Sequence, residues 1–575
     1  MTRTSRLWAA VALAAAVVLG GSGCTVIPVT GPYPVDDAGG GDPLSKPLQR
    51  MIATLPQPHW TPVETVKGLQ AAMAAYPDDP ATLLKYLTPE AQRSWTPSGA
   101  VTVLDDALDF QQNPVDADES ARTVSLKGKL VAAIEEDDTY VPHSESWSRP
   151  FELVPAQGGG YRVRNLPDGL VLTKSDVERA YRATKLYYLN GNTQDRLVVD
   201  NVRLRLKPTK TYAQIILERL LKAPSAALRG AATSSFPGEA TIESVRSGED
   251  ERVVINLSGS FDPLDLSSEH AIMAQIRYSL NNNDVAKGRG IDVMVDGELY
   301  SSYRPGSDQG WLDNGGGKPF YVSKGAVHYL TEKGPGGAVP GPAGEPREGY
   351  TDFAVSKQGT MIAAKTPTGI AVADLIPQGQ WQEVILGAPG DLTAPSWHRD
   401  GSLWTFDRKN GVVLRYDPAG RRGPERVSAP GLEKLDVSDL RIARDGVRVV
   451  VVSGKDTVVQ IGALTGAMLS NFRKLTYTQL GEEIQDVAWR DDEHVLVLVK
   501  GKAGRRLNEI NVGDGEITEI PLQDKVEAVA ALNERVLAEA EAGNGQGSKL
   551  LELNKDQGWT AKVDTDANSP LFPLG

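Results

Sequence analysis

Asp352-Phe353-Ala354-Val355-Ser356-Lys357-Gln358-Gly359, Pro395-Ser396-Trp397-His398-Arg399-Asp400-Gly401 and Leu440-Arg441-Ile442-Ala443-Arg444-Asp445-Gly446 are three copies of one plan. Each is an apolar alternation that enters a polar turn ending in glycine, and each is followed by a second strand-like run. Alternation sets one face of a strand against a core, and glycine supplies the positive φ that lets the chain reverse. Weaker copies follow at Asp486 to Asp492 and at Val526 to Asn533. The period is roughly 42 to 46 residues, which suits four-stranded propeller blades. Five copies are visible. The strand Phe320 to Leu330 either begins a further blade or closes the ring with strands from the C-terminal end, where Leu571-Phe572-Pro573 packs. An all-β propeller-like domain is therefore expected over residues 318–575.

Upstream, the Gly/Pro-rich run Gly334 to Gly349 reads as a bridge into this region. Before it, about Ala183 to Gly306 alternates in the order strand, helix, strand, strand, helix, strand. Ala213, Ile216, Leu217, Leu220 and Leu221 form one helix face ended by Ala223-Pro224, and Ile272, Ile276 and Leu280 line a second. Val253-Val254-Ile255-Asn256-Leu257 is a buried strand, and Ile291, Val293 and Val295 alternate up to an Asp296-Gly297 turn. The pieces LYYLNG, LLKAP, INLSGSF, AQIRYSL and IDVMVDG together resemble the GerMN domain of spore-germination and envelope lipoproteins, an α/β interaction module. That domain is assigned to residues 181–310.

The first folded segment, residues 45–180, opens with Thr61-Pro62-Val63-Glu64, a capping box with proline at the first helical position. Val63, Val66, Leu69, Met73 and Tyr76 then keep helical spacing, and Asp79-Pro80 and Thr88-Pro89 start further helices. Strands are expected at Thr123 to Ile134, Phe151 to Val154 and, after Gly158-Gly159-Gly160, Tyr161 to Val163. Helices followed by a curved sheet resemble an NTF2-like α+β cup.

Ahead of these domains the chain carries its one cysteine, Cys24, directly after its only long apolar run. Arg3 and Arg6, the apolar stretch Leu7 to Leu19 and Gly20-Gly21-Ser22-Gly23-Cys24 read as a lipoprotein signal over residues 1–23. An apolar run of about 13 is too short to span a bilayer. Ser22-Gly23-Cys24 fits a lipobox, although Gly21 stands where Leu is usual. Cys24 is expected to carry S-diacylglycerol and an N-acyl chain, anchoring the protein at the outer face of a plasma membrane. Residues 24–44, rich in Pro, Gly and Asp, form a flexible tether. A single cysteine excludes an intrachain disulfide and a CxxC metal site.

Composition narrows the function class. The 575 residues are 40% hydrophobic and 23% charged with a net charge of -13, which disfavours nucleic acid as a partner. GxSxG, HExxH, Walker A and GxGxxG motifs are absent, and no two of the histidines at 59, 143, 270, 328, 398 and 494 are four apart. No catalytic residue, metal ligand or cofactor is assigned. Asp116, Asp118 and Glu119, and Glu135, Glu136, Asp137 and Asp138, lack the order of a calcium loop and read as solvated loops. Asp400 and Asp445 are either a repeated carboxylate pair for sugar cleavage or turn residues, and repetition favours turns. His270, after Ser267-Ser268-Glu269, reads as part of a helix start. Trp397, Trp404 and Trp489 read as blade packing, with hot spots at the propeller mouth as the alternative.

A signal with Cys24, an α+β domain, GerMN and a propeller occur together in the lipoprotein LpqB family, which the chain resembles over essentially its whole mature length. The resemblance implies a non-enzymatic accessory of the MtrA-MtrB two-component system that contacts the extracellular domain of the sensor kinase MtrB. It further implies modulation of signalling to cell-wall homeostasis and division. The competing expectations are a propeller-type hydrolase or lyase of cell-wall glycan and a ligand carrier using the N-terminal cup.

Overall fold

The computed structural model describes residues 33–36, 44–46, 49–76, 78–114, 121–248, 250–261, 265–306, 310–313, 316–420, 422–454, 457–477, 482–542 and 547–575. Cys24, its preceding apolar run, most of the tether, and Asp116, Asp118 and Glu119 lie outside the described residues. Among the described residues no helix is long and apolar enough to cross a membrane.

In the N-terminal domain Thr61 is extended and caps helix α1, Pro62–Ala75. Glu64 N–H donates to its hydroxyl at 3.2 Å, and Thr61 N–H donates back to the Glu64 carboxylate at 2.7 Å. Asp79 and Thr88 cap α2, Pro80–Leu84, and α3, Pro89–Ser94, by accepting from the Thr82 and Ala91 N–H groups, each at 3.3 Å. The three helices lead into a sheet ordered Tyr161–Asn165, Tyr140–Pro155, Arg122–Ile134, Val101–Leu104, Val171–Thr173, with Asp109–Gln112 also paired to Arg122–Ile134. The two central strands are longer than their apolar runs because their outer halves face solvent. Helix α1 packs on this sheet, and Leu69, Met73, Tyr86, Val124, Leu126, Phe151 and Leu153 fill the space between them. Gly68 lets the helix approach: a Cβ there would stand 2.5 Å from the Tyr86 hydroxyl and 2.6 Å from the Trp60 ring. Helix α4, Lys174–Ala180, capped by Thr173, runs directly into the next domain.

That domain begins with the antiparallel pair Tyr181–Asn190 and Leu197–Arg205. A second sheet is ordered Thr241–Ser247, Val253–Ser258, Ile291–Val295, Glu298–Tyr303, its two central strands parallel. Parallel neighbours need a crossover, supplied by helix α6, Leu266–Asn281; α5, Tyr212–Leu220, packs beside it. Leu197–Arg205 and Glu298–Tyr303 are additions to the expected order. The first escapes a pattern reading because Asp200 interrupts it, a buried carboxylate that accepts from the Ser225 N–H and hydroxyl, each at 2.7 Å. Asp265, rather than a serine, caps α6 through the Ser268 N–H at 2.7 Å.

The C-terminal region is a ring of six four-stranded sheets among the described residues. The innermost strands begin at Thr351, Ser396, Val437, Glu483, Val526 and Asn568, and each neighbours the next around the ring. Blade 1 is composite: Phe320–Ser323, Ala326–Thr331 and Gly334–Ala338 take their innermost strand, Asn568–Leu571, from the C-terminal end. The expected Gly334 to Gly349 bridge is thereby corrected. Its first five residues are the outermost strand of blade 1, an edge strand among the described residues, where Gly and Pro are tolerated. The passage between domains is instead Arg304 to Pro319.

Six apolar clusters lie between successive blades, including Trp397 with Ala354 and Leu403, Trp404 with Leu440, and Trp489 with Val450 and Val497. The Trp397 and Trp489 indoles each donate to a carbonyl of the preceding blade's innermost strand, Ala354 at 3.0 Å and Arg441 at 3.1 Å. The three tryptophans are fully buried, which removes them as hot spots at the mouth.

Candidate functional site

Two faces of the propeller gather polar groups. The first is built from the turns joining the innermost strand of each blade to its neighbour. In blade 3, Asp400 accepts from the Ser402 N–H at 2.8 Å and hydroxyl at 2.6 Å, and it pairs with Arg415 at 3.1 Å. Burial opposes its charge, but His398 and Ser402 outweigh burial and hold the carboxyl well below the usual range. In blade 4, Asp445 accepts from the N–H groups of Val447 at 2.9 Å and Arg448 at 3.2 Å and pairs with the Arg448 guanidinium. Gly401 and Gly446, at φ of 93° and 74°, complete both turns. The two carboxylates hold turns, so the sugar-cleaving pair is not formed by them.

This face docks on the second domain. Asn190, fully buried, folds its own turn by accepting from Asn192 N–H at 2.8 Å and Thr193 N–H at 3.1 Å, and its amide donates to the Asp445 carbonyl at 2.7 Å. Asn192 donates to the carbonyls of Gly446 at 3.1 Å and Leu464 at 3.0 Å. Arg448 also donates to the Val199 carbonyl, and Val447 and Ala463 join the apolar core of the second domain. Lys185 with Glu493 at 2.8 Å and Arg203 with Asp514 at 2.7 Å flank the contact. Over the mouth, Asp313 of the connecting segment stands 3.8 Å from both Arg399 and Arg444. None of this was legible locally, since the partners are separated by some 250 residues.

The N-terminal domain is joined by the loop that reads as solvated in the sequence. Glu135 and Glu136 are exposed, as expected. Asp138 instead pairs at 2.9 Å with Arg219, which is 5% exposed, and Asp137 accepts from the Ala226 N–H. Burial pushes the Asp138 carboxyl up, with Arg219 opposing. A second contact runs from Arg473 to the Tyr140 carbonyl at 3.3 Å.

The second polar gathering lies in the central channel, a cavity of about 240 Å³ lined by Asp352, Arg441 and Asp486. Beside Arg441, Asp439 lies at 3.2 Å. Burial pushes Asp486 up to about 7, although Arg441 and the N–H groups of Val529 and Val487 favour its charge. Asp352, Asp439 and Asp486 each stand on the innermost strand of a blade, Asp352 and Asp486 opening repeats quoted above and Asp439 directly preceding one. That recurrence is the signal a reading of the turns alone passes over.

Comparison with known proteins follows the same three divisions. Residues 55–178 match the family described as Lipoprotein LpqB, N-terminal domain; residues 329–573 match Lipoprotein LpqB beta-propeller domain; residues 185–301 match Sporulation and spore germination. The chain belongs to the lipoprotein LpqB family. Lipoprotein LpqB of Thermobifida fusca (strain YX) is 27% identical over 569 residues, covering 87% of this chain and 89% of its own. The family member of Streptomyces avermitilis is 26% identical over 610 residues, covering 96% and 97%. These relatives carry the name of a lipoprotein, and the family is one of membrane-anchored envelope proteins. Among solved structures, TolB from Acinetobacter baumannii is 14% identical with a TM-score of 0.36, covering 58% of this chain and 82% of its own.

Proposed function

We propose that the protein is held at the outer face of the plasma membrane by lipid on Cys24, and that its ectodomain binds the extracellular domain of an MtrB-type sensor kinase without catalysing a reaction. Binding modulates two-component signalling in cell-wall homeostasis and division. The observation that carries this reading is the interlock of the three modules through Asn190, Asn192, Arg448 and Arg219, whose buried donors hold carbonyls and carboxylates of a neighbouring domain. A body joined in this way presents a partner with one surface of fixed geometry. The tether keeps that surface in the layer of the sensor domain, which raises its effective concentration so that a weak contact suffices. Preference for one sensor conformation then shifts the kinase equilibrium. The N-terminal domain, read as an NTF2-like cup, has its interior filled by Leu69, Met73, Tyr86 and Phe151, which favours a partner surface over a carrier.

Calorimetric titration of residues 25–575 into the isolated kinase ectodomain, with single-domain deletions, tests the reading. Saturable heat that vanishes on removing one domain supports it; no heat at high micromolar concentration refutes it. A second reading, glycan hydrolysis or lyase chemistry, is favoured by one observation, the protonatable Asp486 beside Asp439 and Arg441 in the channel. Release of soluble sugar from purified cell wall by the protein, abolished in Asp486→Asn, would establish it in place of the first.

A further inference from the structure

A groove of about 400 Å³ opens on the second domain between α6, the edge strand Glu298–Tyr303 and the segment that leads to the propeller. Its volume falls within the range of small-ligand sites. Glu269, His270, Arg277, Tyr300, Tyr303 and Trp311 line it. The Arg277 side chain is 7% exposed, and its guanidinium lies 4.3 Å from the Tyr278 ring centre and 4.6 Å from that of Tyr303, so that cation–π attraction holds the Tyr303 ring in place. Tyr300 packs edge-on against Phe261 at 5.5 Å. Its hydroxyl is buried and has no hydrogen-bond partner among the described residues, and burial together with the charge of Glu269 pushes the phenol up. A buried hydroxyl without a partner is uncommon in native proteins and marks a place where a ligand group can supply one.

We infer that this groove binds a neutral oligosaccharide. Tyr300, Tyr303 and Trp311 offer negatively charged faces to the C–H bonds of a sugar ring, and Glu269, His270 and the Tyr300 hydroxyl offer acceptors and donors to its hydroxyl or acetamido groups. One carboxylate and one guanidinium balance within the lining, so neither an anion nor a cation is favoured over a neutral polar ligand. Strand addition by a peptide is disfavoured by the edge itself: Tyr300 is the extra residue of a β-bulge, which breaks the regular ladder a peptide strand needs.

The test is calorimetric titration of the full chain, solubilised in detergent, with chitotetraose. Saturable binding is expected, weakened about tenfold in Trp311→Ala and Glu269→Gln, about threefold in Tyr300→Phe, and unchanged in Ile376→Ala on the propeller surface. Tyr300→Phe removes one oxygen and leaves packing intact, so its effect is free of the folding risk attached to Trp311. Absence of saturation up to about 10 mM, or equal affinity in wild type and all groove variants, overturns the inference. Binding of an extended peptide at this groove in preference to the sugar overturns it as well.

Discussion

Aspartates on the two faces of the propeller behave in opposite ways. On the turn face, Asp400 and Asp445 accept from backbone N–H groups, with Arg415 and Arg448 alongside, and fix the backbone, and His398 and Ser402 hold the Asp400 carboxyl below its usual range. In the channel, Asp439 and Asp486 sit on strands whose N–H groups are largely committed to the ladder, and burial pushes both carboxyls up. At Asp400 the bonds from His398 and Ser402 outweigh burial, whereas at Asp486 burial outweighs Arg441 and two backbone N–H groups. The turn face is consequently the one that is docked and built, and the channel keeps chemical freedom.

Removing the guanidinium of Arg448 is the strongest way to break this comparison, because it strips Asp445 of its buried cation and Val199 of a donor. Arg448→Met is expected to cost about 3–5 kcal/mol in urea unfolding. Asn190→Ala, which opens a turn and orphans the Asp445 carbonyl, is expected to cost about 1–3 kcal/mol and to speed proteolysis at the segment between the domains. The two turn glycines sharpen the same point. A Cβ on Gly401 meets nothing within 4 Å, whereas one on Gly446 meets Arg399 at 2.7 Å and His398 at 2.8 Å. Gly401→Ala is expected to cost about 1 kcal/mol from its positive φ alone and Gly446→Ala about 2–3 kcal/mol, measured by thermal unfolding.

The smallest effect concerns the channel and depends on pH. The folded protein holds a proton on Asp486 up to about 7, whereas the unfolded chain releases it near 3.8. Between those values the native state binds more protons, so this group's contribution to stability falls as pH rises. The melting temperature of Asp486→Asn is expected to exceed that of wild type by about 2–4 °C at pH 8, and the gap closes below pH 4. A gap that widens on acidification would place Asp486 with Asp400.

The propeller was legible because three of its turns write themselves into the sequence as Asp-Gly or Gln-Gly at similar spacing. Blade 1 was only half legible, since its strands come from both ends of the region and one of them, Gly334–Ala338, has the composition of a linker. The capping box of α1 and the side-chain caps of α2 and α3 were legible for the opposite reason: each is completed within four residues. Contacts between domains were not. Asp138 gives no sign of Arg219, 81 residues away, and nothing in LYYLNG marks Asn190 as the clamp. The groove beneath Tyr300 and Trp311 was half seen, with His270 recognised at a helix start but the aromatic residues opposite it unremarked.

The three modules form one body with a fixed outer surface. Spin labels at Leu55 in the N-terminal domain and Ile517 in the propeller, both 51% exposed, measure this directly by dipolar spectroscopy in a background where Cys24 is replaced by serine. A single narrow distance distribution that broadens in the Asn190→Ala and Arg448→Met variants is the predicted result. A broad or multimodal distribution in the otherwise unaltered protein would contradict the account.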